Sequence, residues 1–155
     1  MTAEPTIRAA TAKDADDLMD LICAHAIYEG EKYDPTGKLE KVRAWLCADP
    51  PVFQCLVVET DAGVQGYCVY VKQFDSWYGE PYMLVESLYL KDELRGASIG
   101  TKLMRLVFEA AKTERCNCVQ VMTPSDNSGA IAFYGKLGGV ATSKAWFRFG
   151  LPEHS

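Results

Sequence analysis

A turn without bulky side chains, Arg95 to Gly100 (R-G-A-S-I-G), is the first stretch of the chain that suggests chemistry. It follows strand-forming residues that end at Leu90, and it precedes apolar residues at helical spacing from Ile99 to Ala110. Backbone N–H groups at such a helix N-terminus favour an anion, for example a phosphate. The glycine spacing fits neither a Walker loop nor G-x-G-x-x-G, and an ordinary strand–helix corner would also account for it.

A second block, N-S-G-A-I-A-F-Y from Asn127 to Tyr134, directly follows a predicted strand at Val119 to Pro124. Asn127 is a favourable residue for capping a helix start. Tyr134 is a phenol that is neutral at pH 7 and can donate a proton or a hydrogen bond. A packed aromatic with an exposed hydroxyl is the alternative interpretation of Tyr134.

The two blocks together resemble the GNAT N-acetyltransferase superfamily. The resemblance implies that the turn binds the pyrophosphate of acetyl-CoA and that Tyr134 is catalytic. Ser98 stands where a glycine is usual, and a positive φ there would cost a serine energy. The implied acetyl-CoA contacts are Leu88, Tyr89, Leu90, Arg95, Gly96, Ala97, Ser98, Ile99, Gly100, Thr101, Asn127, Ser128, Gly129, Ala130 and Tyr134.

Within the superfamily, nearly the whole chain is similar to the diamine (spermidine/spermine and thialysine) acetyltransferases. By that resemblance the amine substrate would contact Tyr28, Glu29, Asp75, Trp77, Glu86, Gln120, Val121 and Met122. Lys144 replaces an acidic residue of the animal enzymes, which leaves the acceptor amine open. The acidic, aromatic loop from Tyr28 to Asp34 has two interpretations of equal weight: it lines the amine site, or it is a solvated linker.

Amine acetylation needs a base, because an alkylammonium with a pKa near 10.4 is only about one part in a thousand free amine at neutral pH. Glu86 is the candidate base, although a structural hydrogen bond at a strand edge is the alternative role. A backbone N–H near Leu88 would stabilise the developing oxyanion if this strand is splayed, as it is in the superfamily. Tyr134 would protonate the leaving thiolate, and no cysteine is needed as a nucleophile.

Strands and helices alternate in a pattern that predicts one α/β (α+β) domain over residues 1–155 with the GNAT fold, a mixed and mostly antiparallel sheet flanked by helices on both faces. Thr11 and Asp14 predict a capped helix, and His25 on its apolar face is expected to be packed rather than to act as a base. The predicted strands are Thr6–Ala9, Phe53–Thr60, Val64–Phe74, Tyr82–Leu90, Val119–Thr123, Val140 and Ala145–Phe149; a second helix is predicted at Lys38–Cys47.

The composition of the 155 residues, 48% of them hydrophobic, predicts a soluble cytoplasmic domain without a membrane span or a signal peptide. The net charge of −5 disfavours nucleic acid as a partner. Six cysteines with only His25 and His154 beside them argue for reduced, mostly buried thiols and against a metal site.

These observations predict an acetyl-CoA-dependent N-acetyltransferase that acts on a small primary amine, of the diamine, polyamine or thialysine type. Other acceptors, namely an amino acid, an aminoglycoside or a protein lysine, stay open. So does a non-catalytic acyl-CoA sensor on the same fold. The resemblance also implies a homodimer, to which Trp77 and Tyr78 would contribute if they pack against a second subunit instead of the amine.

Overall fold

The computed structural model describes residues 3–153, which form a five-stranded sheet and four α-helices. In chain order these are β1 Thr6–Ala9, α1 Ala15–Tyr28, α2 Leu39–Leu46, β2 Gln54–Thr60, β3 Gly63–Asp75, β4 Glu80–Leu90, α3 Ile99–Thr113, β5 Val119–Val121 and α4 Ser128–Lys136. Two compact units divide the chain: Met1–Met122 holds the sheet with α1 to α3, and Thr123–Ser155 holds α4. A single domain over the whole chain stays a prediction.

The strands lie in the order β1-β2-β3-β4-β5. Every neighbouring pair is antiparallel except β4 and β5, which run parallel. A parallel pair needs a crossover connection, and α3 supplies it. The mixed, mostly antiparallel sheet that the sequence predicts is confirmed.

Hydrogen bonds to the charged side chain of Asp14 stabilise the connection between β1 and α1. The backbone N–H of Thr11 donates to Asp14 Oδ2 at 2.7 Å, which forms half of the predicted capping box. Both terminal nitrogens of Arg8, Nη1 and Nη2, donate to the Asp14 carboxylate at 2.8 Å. The hydrogen bonds from Arg8 lower the pKa of Asp14 and keep this buried carboxyl ionised.

Helices cover both faces of the sheet, as predicted. On one face Leu18 and Leu21 of α1 pack against Val57, Val64 and Tyr67, all 6% exposed or less. On the other face α3 contributes fully buried residues such as Leu103 and Val107. Side chains alternate between the two faces of a strand, so Tyr70 lies on the face opposite Tyr67. On that face Tyr70 and Met83 line a pocket together with residues of α3.

The predicted strands at Val140 and Ala145–Phe149 are wrong, because residues 139–153 have no regular secondary structure. The aromatic run 145–149 has high β-propensity, but propensity makes a strand only where another strand accepts its backbone hydrogen bonds. No ladder partner is present for these residues in the described part of the chain. Strand β5 also ends at Val121, two residues earlier than predicted.

No helix in residues 3–153 is long and apolar enough to cross a membrane. In the same range, no cluster of His, Cys, Asp or Glu side chains is placed to hold a metal ion, and His154 lies outside it. The six thiols are free, but only Cys68 is fully buried, while Cys47 and Cys118 are exposed. Burial raises the pKa of Cys55 and Cys68 to about 12, so both stay protonated at neutral pH.

Candidate active site

Glu86 is the extra residue of a β-bulge in β4. Val69 pairs with Ser87 and Tyr70 pairs with Val85, so Glu86 is an extra residue in β4 without a partner in β3. One extra residue changes which side chains and which N–H groups point in each direction. Glu86 is exposed, and its Oε2 accepts a hydrogen bond from Ser87 Oγ at 2.7 Å.

Beyond the bulge, β4 and β5 part. Their last paired residues are Val85 and Val121, whereas β4 continues to Leu90. The Lys91 N–H donates to Gln65 O beside β3 at 3.0 Å, so by alternation the N–H groups of Leu88 and Leu90 point away from β3, to the side that β5 has left. The two strands are therefore splayed beyond Val85, as is needed for the Leu88 N–H to act as an oxyanion donor.

Three of the predicted amine contacts, Gln120, Val121 and Met122, lie where the two strands separate. Gln120 and Val121 pair with Leu84 and Val85, directly before Glu86. Met122 follows the last pair and is 66% exposed. These three residues and the candidate base are therefore brought to one end of the β4–β5 ladder.

The turn before α3 has the backbone form of an anion site. Gly96 has a φ of 80° and Ser98 a φ of 58°, both in the left-handed region. Ser98 is the N-cap of α3, but its hydroxyl donates to Ala97 O at 2.6 Å and does not cap the helix. Because the first intrahelical bond runs from the Lys102 N–H to Ser98 O, the N–H groups of residues 99–101 have no acceptor within the helix. They fit the pyrophosphate of an acyl-CoA.

Replacing the strained serine by glycine should stabilise the protein. Ser98→Gly removes the steric cost of a left-handed side chain and should raise the free energy of unfolding by roughly 0.5–1 kcal/mol, measured by urea denaturation. Ala97→Gly is the matched control, since Ala97 does not have a positive φ and glycine there adds only flexibility. If both variants lose stability equally, Ser98 is not strained.

The Arg95 side chain is held by neighbouring groups. Its Nε donates to Leu90 O at 2.9 Å, and its Nη1 lies 2.7 Å from Asp92 Oδ1. The guanidinium stacks on the Tyr28 ring at 4.3 Å and approaches Tyr89 at 5.4 Å. Arg95 thus connects the end of α1 with the turn before α3. Its contact with acetyl-CoA stays a prediction.

A polar cluster that the sequence analysis missed lies beneath Tyr28 and Glu29. His25 is packed, as predicted, and stacks on Tyr89 at 5.1 Å. Its ring nitrogens also have partners: Nδ1 lies 2.8 Å from Tyr67 Oη and Nε2 lies 3.2 Å from Glu29 Oε1. The i,i+4 spacing of His25, in the last turn of α1, and Glu29, the residue that follows this helix, was the one available signal.

Two predicted amine contacts lie elsewhere, at the tip of the β3–β4 hairpin. Asp75 Oδ1 accepts the N–H groups of Trp77 and Tyr78 at 2.9 and 3.4 Å, and the Trp77 side chain is 93% exposed. Asp75 is six residues along β3 from Val69, beside the bulge, which corresponds to about 20 Å. The fold does not bring Asp75 or Trp77 to the Glu86 of the same chain.

In the second unit, Asn127 caps α4 as predicted, and its Oδ1 accepts the Ala130 N–H at 3.1 Å. Ser128, Gly129 and Ala130 form the first turn of this helix. Tyr134 lies in its last turns, with its ring edge-on to Phe133 at 5.0 Å between centroids.

Comparison with known proteins identifies the family of the chain. A thialysine N-epsilon-acetyltransferase of Bos taurus is 30% identical over 92% of this chain and 91% of its own length. The enzyme of the same name from Mus musculus is 29% identical over 95% and 92%. The solved structure of a possible acetyltransferase from Clostridium difficile 630 superimposes with a TM-score of 0.80 at 18% identity, over 97% of this chain and all of that one. Residues 17–139 match the Acetyltransferase (GNAT) family. The chain belongs to that family and is an N-acetyltransferase.

Proposed function

We propose that the protein transfers an acetyl group from acetyl-CoA directly to a primary amine of a small molecule of the diamine, polyamine or thialysine class. The observation that carries this proposal is the opening between β4 and β5. The carboxylate of the bulge residue Glu86 lies there. Two residues further along β4, the N–H of Leu88 is directed into the same opening.

The family uses acetyl-CoA as its acyl donor, and the first turn of α3 fits the anionic part of that molecule. Bound there, acetyl-CoA supplies a thioester carbonyl. The unpaired N–H groups of residues 99–101 hold the pyrophosphate, and the N–H of Leu90 is a donor along the open edge. The N–H of Leu88 donates to the carbonyl oxygen, as a preorganised oxyanion donor does.

Glu86 removes a proton from the ammonium group of the acceptor, and its charge also attracts that cation. Glu29 adds a second carboxylate at the end of α1, and the net charge of −5 favours a cationic acceptor at long range. Relatives named for thialysine support an amine of this class. We assign protonation of the departing thiolate to Tyr134, because it ends the N-S-G-A-I-A-F-Y block.

A homodimer is part of the proposal. The hairpin tip exposes Phe74, Trp77 and Tyr78, which are 67%, 93% and 72% exposed. Aromatic residues are enriched at protein interfaces and at ammonium sites. Since this tip lies about 20 Å from Glu86 of its own chain, we place it against a second copy.

The experiment that tests the function is CoA-thiol release from acetyl-CoA across a panel of amines: putrescine, spermidine, spermine, thialysine, lysine, an aminoglycoside and a lysine peptide. Strong turnover with thialysine or a polyamine is the expected result. Turnover only with the aminoglycoside, lysine or the peptide would overturn the acceptor class. Tight acetyl-CoA binding without turnover on any amine would instead point to a sensor.

A further inference from the structure

Glu86 and Glu29 are the two ends of one line of polar side chains. From Glu86 Oε2, Ser87 Oγ is 2.7 Å away. At the other end Glu29 Oε1 is 3.2 Å from His25 Nε2, and His25 Nδ1 is 2.8 Å from Tyr67 Oη. The line is continuous if the hydroxyl groups of Ser87 and Tyr67 lie within hydrogen-bond reach of each other.

The sheet register brings Ser87 and Tyr67 together. Tyr67 pairs with Tyr89 and Val69 pairs with Ser87, so Tyr67 and Ser87 are diagonal neighbours on the α1 face of the sheet. Diagonal neighbours are within reach of a tyrosine side chain. Tyr67 is 2% exposed, and burial raises its pKa, while a side-chain hydrogen bond with Ser87 opposes that rise. The Tyr67 hydroxyl is therefore neutral, is hydrogen-bonded to His25 on one side and lies within side-chain reach of Ser87 on the other.

A line of hydroxyl groups can be satisfied in two directions. If Glu86 is protonated, it donates to Ser87, Ser87 donates to Tyr67, and Tyr67 donates to His25 Nδ1. If each proton moves to its acceptor, the O–H bond of Glu86 breaks and an N–H bond forms at Nδ1. Glu86 is then a carboxylate and His25 an imidazolium, with all donors reversed and no atom gained or lost. If Ser87 and Tyr67 are hydrogen-bonded, as the register allows, every link of the line is satisfied in both states.

We propose that His25, acting through Tyr67 and Ser87, stores the proton that Glu86 takes from the amine, and so is a positioning residue for acetyl transfer. This inference rests on the proposed role of Glu86 as the base. Two groups face the His25 ring: the Glu29 carboxylate lies 3.2 Å from Nε2 and can pair with an imidazolium, and the Tyr89 ring is stacked at 5.1 Å between centroids. Glu86 is the only other carboxylate in the line within the described residues.

The chemistry explains why a store is useful. An ammonium nitrogen loses two protons before it becomes an amide nitrogen, whereas one carboxylate holds only one proton. Passing the first proton to His25 restores the Glu86 carboxylate for the second. Glu86 is exposed in the free protein. After the product leaves, Glu86 releases the second proton to water, the line reverses, and Glu86 then releases the first. Tyr134, which gave its proton to the thiolate, regains one from water, so each turnover releases one proton in net.

Three variants test the store, with the panel amine of highest turnover as acceptor. Tyr67→Phe removes one hydroxyl from the line and keeps the buried ring. His25→Ala leaves space for imidazole, and Glu86→Gln removes the base itself. Tyr70→Phe is the matched control, since Tyr70 is a buried tyrosine of the same strand on the opposite face.

The expected result is a roughly tenfold lower kcat for Tyr67→Phe and His25→Ala with unchanged KM for the amine, a smaller loss than the 10²–10⁴ of a direct base. Tyr70→Phe should keep the wild-type kcat. Added imidazole should restore kcat in His25→Ala but not in Tyr67→Phe. Wild-type kcat in either Tyr67→Phe or His25→Ala, or a loss in His25→Ala that imidazole does not relieve, would overturn the store. If Glu86→Gln keeps its turnover, the proposed base is wrong and the store fails with it.

Discussion

Glu86→Gln should lower kcat by about 10²–10⁴ while acetyl-CoA binds with unchanged affinity. Glutamine has nearly the shape of glutamate and can still accept the Ser87 hydrogen bond, but it cannot take a proton from an ammonium group at neutral pH. The loss should shrink as the pH approaches the pKa of the amine, about 10.4, because the free amine then needs no base. Steady-state thiol release across pH, with acetyl-CoA affinity measured by calorimetry, checks this prediction.

The control for this variant is Glu80→Gln. Glu80 is an exposed glutamate on the same strand, at the hairpin tip and opposite Asp75. It carries the same charge but lies far from the opening between β4 and β5. Equal losses in the two variants would show that only net charge matters, and full activity of Glu86→Gln would remove Glu86 from the mechanism.

Tyr134→Phe should lower kcat by about 10²-fold with little change in acetyl-CoA affinity, because phenylalanine cannot protonate a thiolate. The loss should depend on the leaving group. An acetyl thioester of a more acidic thiol needs less help to leave, so the variant should approach the wild-type rate with such a donor. Thiol release measured with both donors checks this.

Phe133 keeps its edge-on ring partner in this variant, so the packing within α4 is preserved. The control is Tyr33→Phe, a tyrosine to phenylalanine change in the loop between α1 and α2. If the rate loss in Tyr134→Phe is the same for both thioesters, the hydroxyl acts in some step other than departure of the thiolate.

Local patterns predicted most of the elements, since they rest on interactions between residues close in sequence. Thr11 and Asp14 indicated a capped start, which the hydrogen bond between them confirms. Asn127 indicated a helix start in the same way. The strain expected at Ser98 is present as a φ of 58°. Each of these signals spans four residues or fewer, the length over which caps and turns are determined.

Long-range pairing decided what the patterns could not show. The apolar run from Val85 to Leu90 predicts a strand but not the extra residue at Glu86, because a bulge exists only relative to the register of β3. The same limit explains the error at residues 145–149, where a strand-forming run has no described partner. It also explains why the sequence does not show that the β3–β4 hairpin carries Trp77 away from Glu86 of the same chain.

The sequence alone therefore determined the family, the sheet class, the helix caps and the residue types that acetyl transfer needs. Only the tertiary structure decided how those residues are combined. It turned the Leu88 N–H towards an open edge, stacked Arg95 on Tyr28, and set His25 against a tyrosine 42 positions away. The physical reason is that side-chain chemistry and short-range backbone preferences are written in neighbouring residues, whereas strand register and packing depend on contacts between distant ones.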